Sequence, residues 1–111
     1  MISEVYFLYA CNRIKIGWSR NHIQRALNEI SPYCPAPLFF IGATPGDRAL
    51  EAQLHARFAA DRAHGEWFDL GPHLREFLCE DQARARMLMA AERHYLGWLE
   101  EELTTQRTRA P

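Results

Sequence analysis

The sequence predicts one compact α/β (α+β) domain, in which a small three-stranded sheet is flanked by helices and followed by a long C-terminal helix. Three observations favour this fold class. Alternating strand-forming residues begin the chain, a short apolar run lies near its middle, and helical periodicity dominates its second half. A length of 111 residues with 48% hydrophobic residues suits a single core that needs neither disulfides nor a structural metal.

The first two strands are predicted from residues 5–19, which read VYFLYACNRIKIGWS. Both halves of this stretch alternate with a period of two, as antiparallel strands do. The turn falls at Cys11-Asn12-Arg13, where Asn12 best tolerates a positive φ. Because side chains alternate between the faces of a sheet, the register decides whether Lys15, the only lysine, lies beside Tyr6.

A helix, an extended link and a third strand follow the hairpin. Ser19 or Asn21 can cap the helix, and Pro32 marks where it must have ended. The proline-rich link SPYCPAP then keeps the chain extended, and LFFIGAT is typical of a buried strand closed by the turn Pro45-Gly46. This strand completes the predicted sheet.

The remaining chain is predicted to be mainly helical. Asp47 can cap a helix with Leu54 and Phe58 on its apolar face, HGEWFDLGP is expected to form a turn or short link, and Pro72 can begin a further helix. A longer helical pattern covers residues 81–106. We therefore divide the chain into a domain of residues 1–79 and a helical extension with a frayed polar tail, residues 80–111.

The last predicted helix carries an apolar stripe with large aromatic members, namely Leu88, Ala91, Tyr95, Trp98, Leu99 and Leu103. Two explanations stay open for it. The stripe can pack on its own domain, or it can form the surface of a homodimer or of a complex with another protein through residues 81–106.

Composition excludes several function classes. A net charge of −1 argues against nonspecific coating of nucleic acid and leaves room for a small phosphate-binding site. The odd set Cys11, Cys34 and Cys79, without a leader before it, favours a reducing cytoplasm. The cysteine spacing does not suit zinc, and no apolar run approaches the roughly 20 residues of a membrane span.

Five short stretches occur in an order that resembles the GIY-YIG nuclease superfamily, in particular a small phage and bacterial branch with KIG in the second motif. They are Val5-Tyr6, Lys15-Ile16-Gly17, Arg25, Glu51 to His55 and Gly65-Glu66-Trp67-Phe68. The resemblance covers roughly residues 3–70. It implies a metal-dependent endonuclease that hydrolyses phosphodiester bonds, with DNA as the expected substrate and RNA still open.

The resemblance also implies catalytic roles, and the chemistry of the residues supports them. Phosphodiester hydrolysis needs a base, positive charge at the phosphorane and a cation beside the leaving oxygen. Tyr6 would be the base, Arg25 would stabilise the developing charge, and Glu51 would hold one Mg²⁺ or Mn²⁺ ion. His55 would orient water or contact phosphate, or would simply bond Glu51 one helical turn away.

Lys15 is the main departure from the family pattern, because a second tyrosine usually stands there. An ammonium beside Tyr6 would favour the phenolate and make it a better base. If the second tyrosine is indispensable, the chain is instead a catalytically inactive, nuclease-derived binding or regulatory module that acts through its C-terminal helix. Trp18, Trp67 and Phe68 are expected to pack in the domain rather than stack on bases.

Overall fold

A computed structural model of the chain describes residues 3–20 and 36–109 and has a mixed α+β fold. Five strands in these segments form one antiparallel sheet in the order β3-β1-β2-β5-β4. The strands are β1 (Glu4–Ala10), β2 (Arg13–Ser19), β3 (Phe39–Pro45), β4 (Arg62–His64) and β5 (Trp67–Asp69). The α-helices of the same segments are α1 (Arg48–Arg57), α2 (Pro72–Cys79) and α3 (Gln82–Arg109).

The prediction of three strands is wrong, because the segment expected to be a turn or link forms β4 and β5. β5 pairs with β2 at Arg13, Ile14 and Lys15, and β4 pairs with β5. The chain reverses between them at Gly65, which has a φ of 55°. Strands of three residues are too short to show an alternating pattern, and β5 depends on the edge of β2 for its hydrogen bonds while β4 depends on β5.

The hairpin of β1 and β2 has the predicted turn. Both Cys11 and Asn12 adopt a positive φ, at 52° and 62°, as the tight turns that join twisted strands require. The register pairs Tyr6 with Gly17 and Leu8 with Lys15. Tyr6 and Lys15 are therefore diagonal neighbours on one face of the sheet.

The core lies between the other face of the sheet and the helices. Alternate residues of β1 and β2 point into it, and each helix contributes apolar side chains from its inner face. Fully or almost fully buried members include Val5, Phe7, Tyr9, Ile14, Ile16, Leu54, Phe58, Leu74, Leu78, Leu88 and Ala91. Tyr6, Leu8 and Ala10 are also buried, so β1 is covered on both faces.

The long helix α3 begins on the domain and extends beyond it. Leu88 and Ala91 share the core with the sheet, and Glu92 forms a two-point ion pair with Arg75 of α2 at 2.9 and 2.6 Å. Residues 101–107 are all exposed. The division at residue 79 stays a prediction, although the first half of α3 clearly packs against the sheet.

The predicted first helix, with Arg25 on it, and most of the proline-rich link lie outside the described residues. In the segments that are described, none of the helices combines the length and the apolar character that crossing a bilayer requires.

Candidate functional site

The ring of Tyr6 lies across the backbone of Gly17 on the neighbouring strand. A Cβ atom at residue 17 would come within 2.9 Å of three atoms of Tyr6, the hydroxyl oxygen among them. The ring itself is only 4% exposed and has little room to move aside. Glycine at position 17 is therefore required by the placement of the phenol.

Lys15 places its ammonium between this phenol and a carboxylate. Its Nζ lies 6.0 Å from the centroid of the Tyr6 ring and 3.4 Å from Oε2 of Glu66. The Lys15 side chain is 15% exposed, so both interactions are partly shielded from water. Glu66 reaches this position because β5 adds to β2, where the Ile16 N–H also donates to the Glu66 carbonyl at 3.0 Å.

Glu51 lies in the first turn of α1 and faces the same group of charges. Burial raises the pKa of Glu51, the negative charge of Glu66 raises it further, and the nearby His55, Arg48 and Lys15 act in the opposite direction. The carboxylate is thus partly removed from water and subject to the charge of a second carboxylate. Such a pair gains from any cation that comes between its members.

His55 joins α1 to the sheet through both of its ring nitrogens. Arg62 can only donate, so Nδ1 of His55 accepts from the guanidinium at 3.3 Å. The proton is then on Nε2, which donates to the carbonyl oxygen of Ile16 at 2.9 Å. The ring also packs edge-on against Phe68, with centroids 5.1 Å apart. Both nitrogens are thus engaged by groups other than Glu51.

Carboxylate oxygens such as those of Glu51 and Glu66 are the ligands that a hard divalent cation such as Mg²⁺ or Mn²⁺ prefers. Protein sites for Mg²⁺ commonly supply only one or two carboxylates and leave other positions to water and substrate phosphate. Groups of three or more His, Cys, Asp or Glu side chains able to hold a metal are absent from residues 3–20 and 36–109. Any divalent ion bound by this pair would need further ligands from water or substrate.

Among the predicted catalytic residues, the structure places Lys15 over the Tyr6 ring, and the charge of Lys15 acts on the Glu51 carboxyl. His55 bonds to the Ile16 carbonyl of β2, next to Lys15 in the chain. Arg25 lies outside the described residues. The sequence contains no local signal that Glu66 would pair with Lys15. The position of Glu66 depends on a strand pairing across some 50 residues of chain.

By its fold, the chain is a small antiparallel α+β domain. It carries a polar cluster at the junction of β1, β2, β5 and α1. Comparison with known families then gives the family: residues 4–87 match the model of the T5orf172 domain, and the chain belongs to that family. Neither the curated proteins nor the solved structures compared with the chain gave a match.

The family match corrects the resemblance to the GIY-YIG superfamily, which is wrong. The T5orf172 domain is a distinct domain in the same structural neighbourhood as some nuclease-like folds. The short motifs behind the resemblance have local explanations in this fold. Gly17 makes room for Tyr6, Gly65 supplies the positive φ of a turn, and Trp67 and Phe68 form β5.

Proposed function

We propose that this protein is a metal-dependent endonuclease that hydrolyses phosphodiester bonds of DNA at the cluster of Tyr6, Lys15, Glu51 and Glu66. The observation that carries the proposal is the position of the Lys15 ammonium, which lies over the Tyr6 ring and beside Glu66. A phenol, an ammonium and two carboxylates in one partly buried cluster supply the base and the charges that this reaction needs.

In the proposed reaction Tyr6 acts as the general base. The charge of Lys15 favours the phenolate, which takes a proton from water as the water oxygen bonds to phosphorus. The bond from phosphorus to the 3′ oxygen breaks, and the leaving oxygen takes up a proton from solvent. Arg25 stays a predicted phosphate ligand.

Glu51, with Glu66 beside it, would hold the Mg²⁺ or Mn²⁺ ion, which when bound supplies positive charge to the phosphoryl oxygens. His55 is assigned a positioning role, because its bond to the Ile16 carbonyl holds the helix of Glu51 against the strand of Lys15. A Glu51 carboxylate placed in this way is aligned before substrate binds.

Nicking of supercoiled plasmid by the purified protein with Mg²⁺ tests the proposal. Tyr6→Phe and Glu51→Gln should each lower the nicking rate by about 10²- to 10⁴-fold, the usual contribution of a general base or of comparable transition-state stabilisation. Glu76→Gln, at an exposed carboxylate of α2, is the matched control and should nick like the parent. Nicking that survives in both site variants would point to a contaminating nuclease and contradict the proposal.

A binding measurement tests the metal separately from activity. Adding Mg²⁺ or Mn²⁺ should raise the melting temperature of the parent and of Glu76→Gln, because a ligand that binds only the folded state stabilises it. The rise should be absent in Glu51→Gln. An equal rise in all three proteins would exclude Glu51 as a metal ligand. Parallel assays with plasmid and with an RNA transcript separate the two substrate classes.

A second candidate function is a binding module that acts through α3, and one observation favours it. Met89, Leu96 and Leu103 are spaced seven residues apart and are 60%, 59% and 49% exposed. Large apolar side chains repeated in this way on one side of a helix are typical of helix pairing. We propose a second copy of the chain as the partner.

The charges of α3 suit an antiparallel pair of copies. Arg93 lies near the middle of the helix, and three consecutive glutamates occupy residues 100–102 in its second half. Antiparallel pairing about Leu96 brings Arg93 of one helix beside the first of these glutamates in the other. Sedimentation of the full chain should show a dimer that Leu96→Gln dissociates. Met87→Gln, on the opposite side of the helix, is the control, and a parent that stays monomeric would exclude the dimer.

A further inference from the structure

A cleft of about 410 Å³ lies between the end of β2 and the start of α1, and it is lined by Trp18, Arg20, Asp47, Arg48 and Ala49. Two arginines therefore face one aspartate. Oδ1 of Asp47 accepts the backbone N–H groups of Ala49 and Leu50 and so caps α1. Because the carboxylate already satisfies the helix amides, the cleft offers an anion its arginine side chains rather than the end of a helix.

The aromatic wall of this cleft is fixed in place by hydrogen bonds. The indole N–H of Trp18 donates to Oγ of Ser3 at 2.6 Å, and the Ser3 hydroxyl donates to the Gly46 carbonyl at 2.6 Å. The inner edge of the ring packs against the core. A ligand that binds here does not have to immobilise the indole, which lowers the entropic cost of binding.

The guanidinium of Arg48 is stacked on this wall, with its Cζ 4.7 Å from the centroid of the Trp18 ring. Stacking fixes the plane of the guanidinium and leaves its N–H edge able to donate two parallel bonds to phosphate oxygens. Arg20, exposed at the end of β2, adds a second positive charge across the cleft.

The cleft lies beside the cluster proposed to cut DNA. Arg48 and Glu51 are three residues apart on α1, which places their Cβ atoms about 5–6 Å apart on one side of the helix. The charge of Arg48 also acts on the Glu51 carboxyl and lowers its pKa. An anion held by Arg48 would therefore lie on the same side of α1 as Glu51.

We infer that Arg48 and Arg20 bind a backbone phosphate of the nucleic-acid strand, next to the phosphate that is cut, with Trp18 as the rigid support of Arg48. The inference rests on the proposed function, which supplies nucleic acid as the class of substrate. In this arrangement Arg48 positions the strand and takes no part in bond cleavage.

Binding of a fluorescently labelled DNA oligonucleotide, followed by anisotropy at several salt concentrations, tests this site. All proteins carry Glu51→Gln so that the strand stays intact. Adding Arg48→Gln should weaken binding by about tenfold and lower the slope of log affinity against log salt by about 1, as loss of one phosphate contact does. Arg86→Gln, an equal charge change on α3, should alter affinity less than about twofold.

Arg48→Gln is expected to fold, because loss of the contact with Trp18 is offset by removal of a positive charge from the first turn of a helix, where such a charge is unfavourable. Equal affinities for Arg48→Gln and Arg86→Gln would overturn the site, and so would a parent that binds no DNA. If Arg48→Gln weakens binding while the Glu51-containing parent fails to nick plasmid, the site stands and the proposed hydrolysis fails.

A free anion offers Arg48 the same negative charge as a backbone phosphate. Inorganic phosphate tests whether a free anion is the ligand. DNA binding that does not depend on Arg48, combined with an Arg48-dependent rise in melting temperature on adding inorganic phosphate, would identify a free anion as the ligand. That result would overturn the assignment to a strand.

Discussion

Tyr6 and Gly17 are directly paired across β1 and β2, and the Tyr6 ring occupies the space in which a side chain at residue 17 would stand. Lys15 lies on the same face, with its ammonium 6.0 Å from the centre of that ring. The orientation of the phenol toward the charged cluster therefore depends on a residue that has no side chain.

Gly17→Ala is expected to destabilise the protein by about 1–3 kcal/mol, the usual cost of forcing an extra methyl group into a packed region. Gly17 does not have a positive φ, so the steric conflict with Tyr6 is the only local penalty. Urea unfolding measures the change. The nicking rate should fall as well, because the Tyr6 ring must shift.

Gly97→Ala is expected to have the opposite effect and to stabilise the protein. A Cβ atom at residue 97 of α3 would meet nothing within 4 Å, and alanine is a better helix former than glycine. The free energy of unfolding should rise by about 0.5–1 kcal/mol. If Gly17→Ala is as stable as the parent or more stable, the steric account of Gly17 is wrong.

Glu51→Gln is expected to raise stability at neutral pH while it removes activity. Because burial and Glu66 raise the pKa of Glu51, the folded protein binds this proton more tightly than the unfolded chain does. The free energy of unfolding therefore falls as the pH rises from the ordinary pKa of 4.5 through the raised value. Glutamine has no proton to lose and avoids this fall.

Melting temperatures at two pH values check the sign of this effect. Glu51→Gln should melt above the parent at pH 7, and the difference should vanish near pH 4, where both forms of residue 51 are neutral. A variant that melts below the parent at pH 7 would show that the ionised carboxylate stabilises the fold, and this would contradict a raised pKa of Glu51.

His55→Ala is expected to lower stability by about 1–3 kcal/mol, because the partly buried Ile16 carbonyl loses its donor. His55→Gln can still donate a bond and should recover part of the loss. Thermal melts and nicking assays on both variants distinguish a positioning role from a chemical one. Nicking that fails in both variants at unchanged melting temperature would show that the imidazole acts directly in the reaction.

The features predicted correctly from the sequence are those that depend on neighbouring residues. The positive φ of Asn12 follows from the needs of a two-strand turn, and the bonds of Asp47 to the start of α1 follow from the chemistry of helix caps. Pro72 begins α2 for the same kind of reason, since its fixed φ suits a first helical position. Each of these signals lies within a few residues of the structure that it specifies.

The features missed depend on contacts between distant parts of the chain. The hairpin of β4 and β5 exists because β2 has an edge to which β5 adds, and the pairing of Lys15 with Glu66 follows from that addition. The bond from His55 to Ile16 spans 39 residues. The mistaken family resemblance has a different reason. Its short motifs have local structural causes, and a single sequence cannot distinguish such causes from common ancestry.

Tyr9→Phe is expected to change how stability depends on pH in the alkaline range. Burial, and after it the charge of Glu92, raises the pKa of Tyr9 from 10.0 to about 12. The folded protein thus keeps a phenolic proton that the unfolded chain releases, so the free energy of unfolding falls as the pH rises from 10 to about 12. Phenylalanine removes this dependence.

Melting curves from pH 8 to 11 measure the effect of Tyr9→Phe. At pH 8 the variant should melt below the parent, because it loses the bond between the hydroxyl and the backbone of Asn12, worth about 1 kcal/mol. The deficit should shrink as the pH rises, since only the parent is destabilised by the ionisation. Tyr95→Phe changes the adjacent half-buried ring, 6.1 Å away, and is the control. A deficit that stays constant to pH 11 would show that the buried phenol does not resist ionisation.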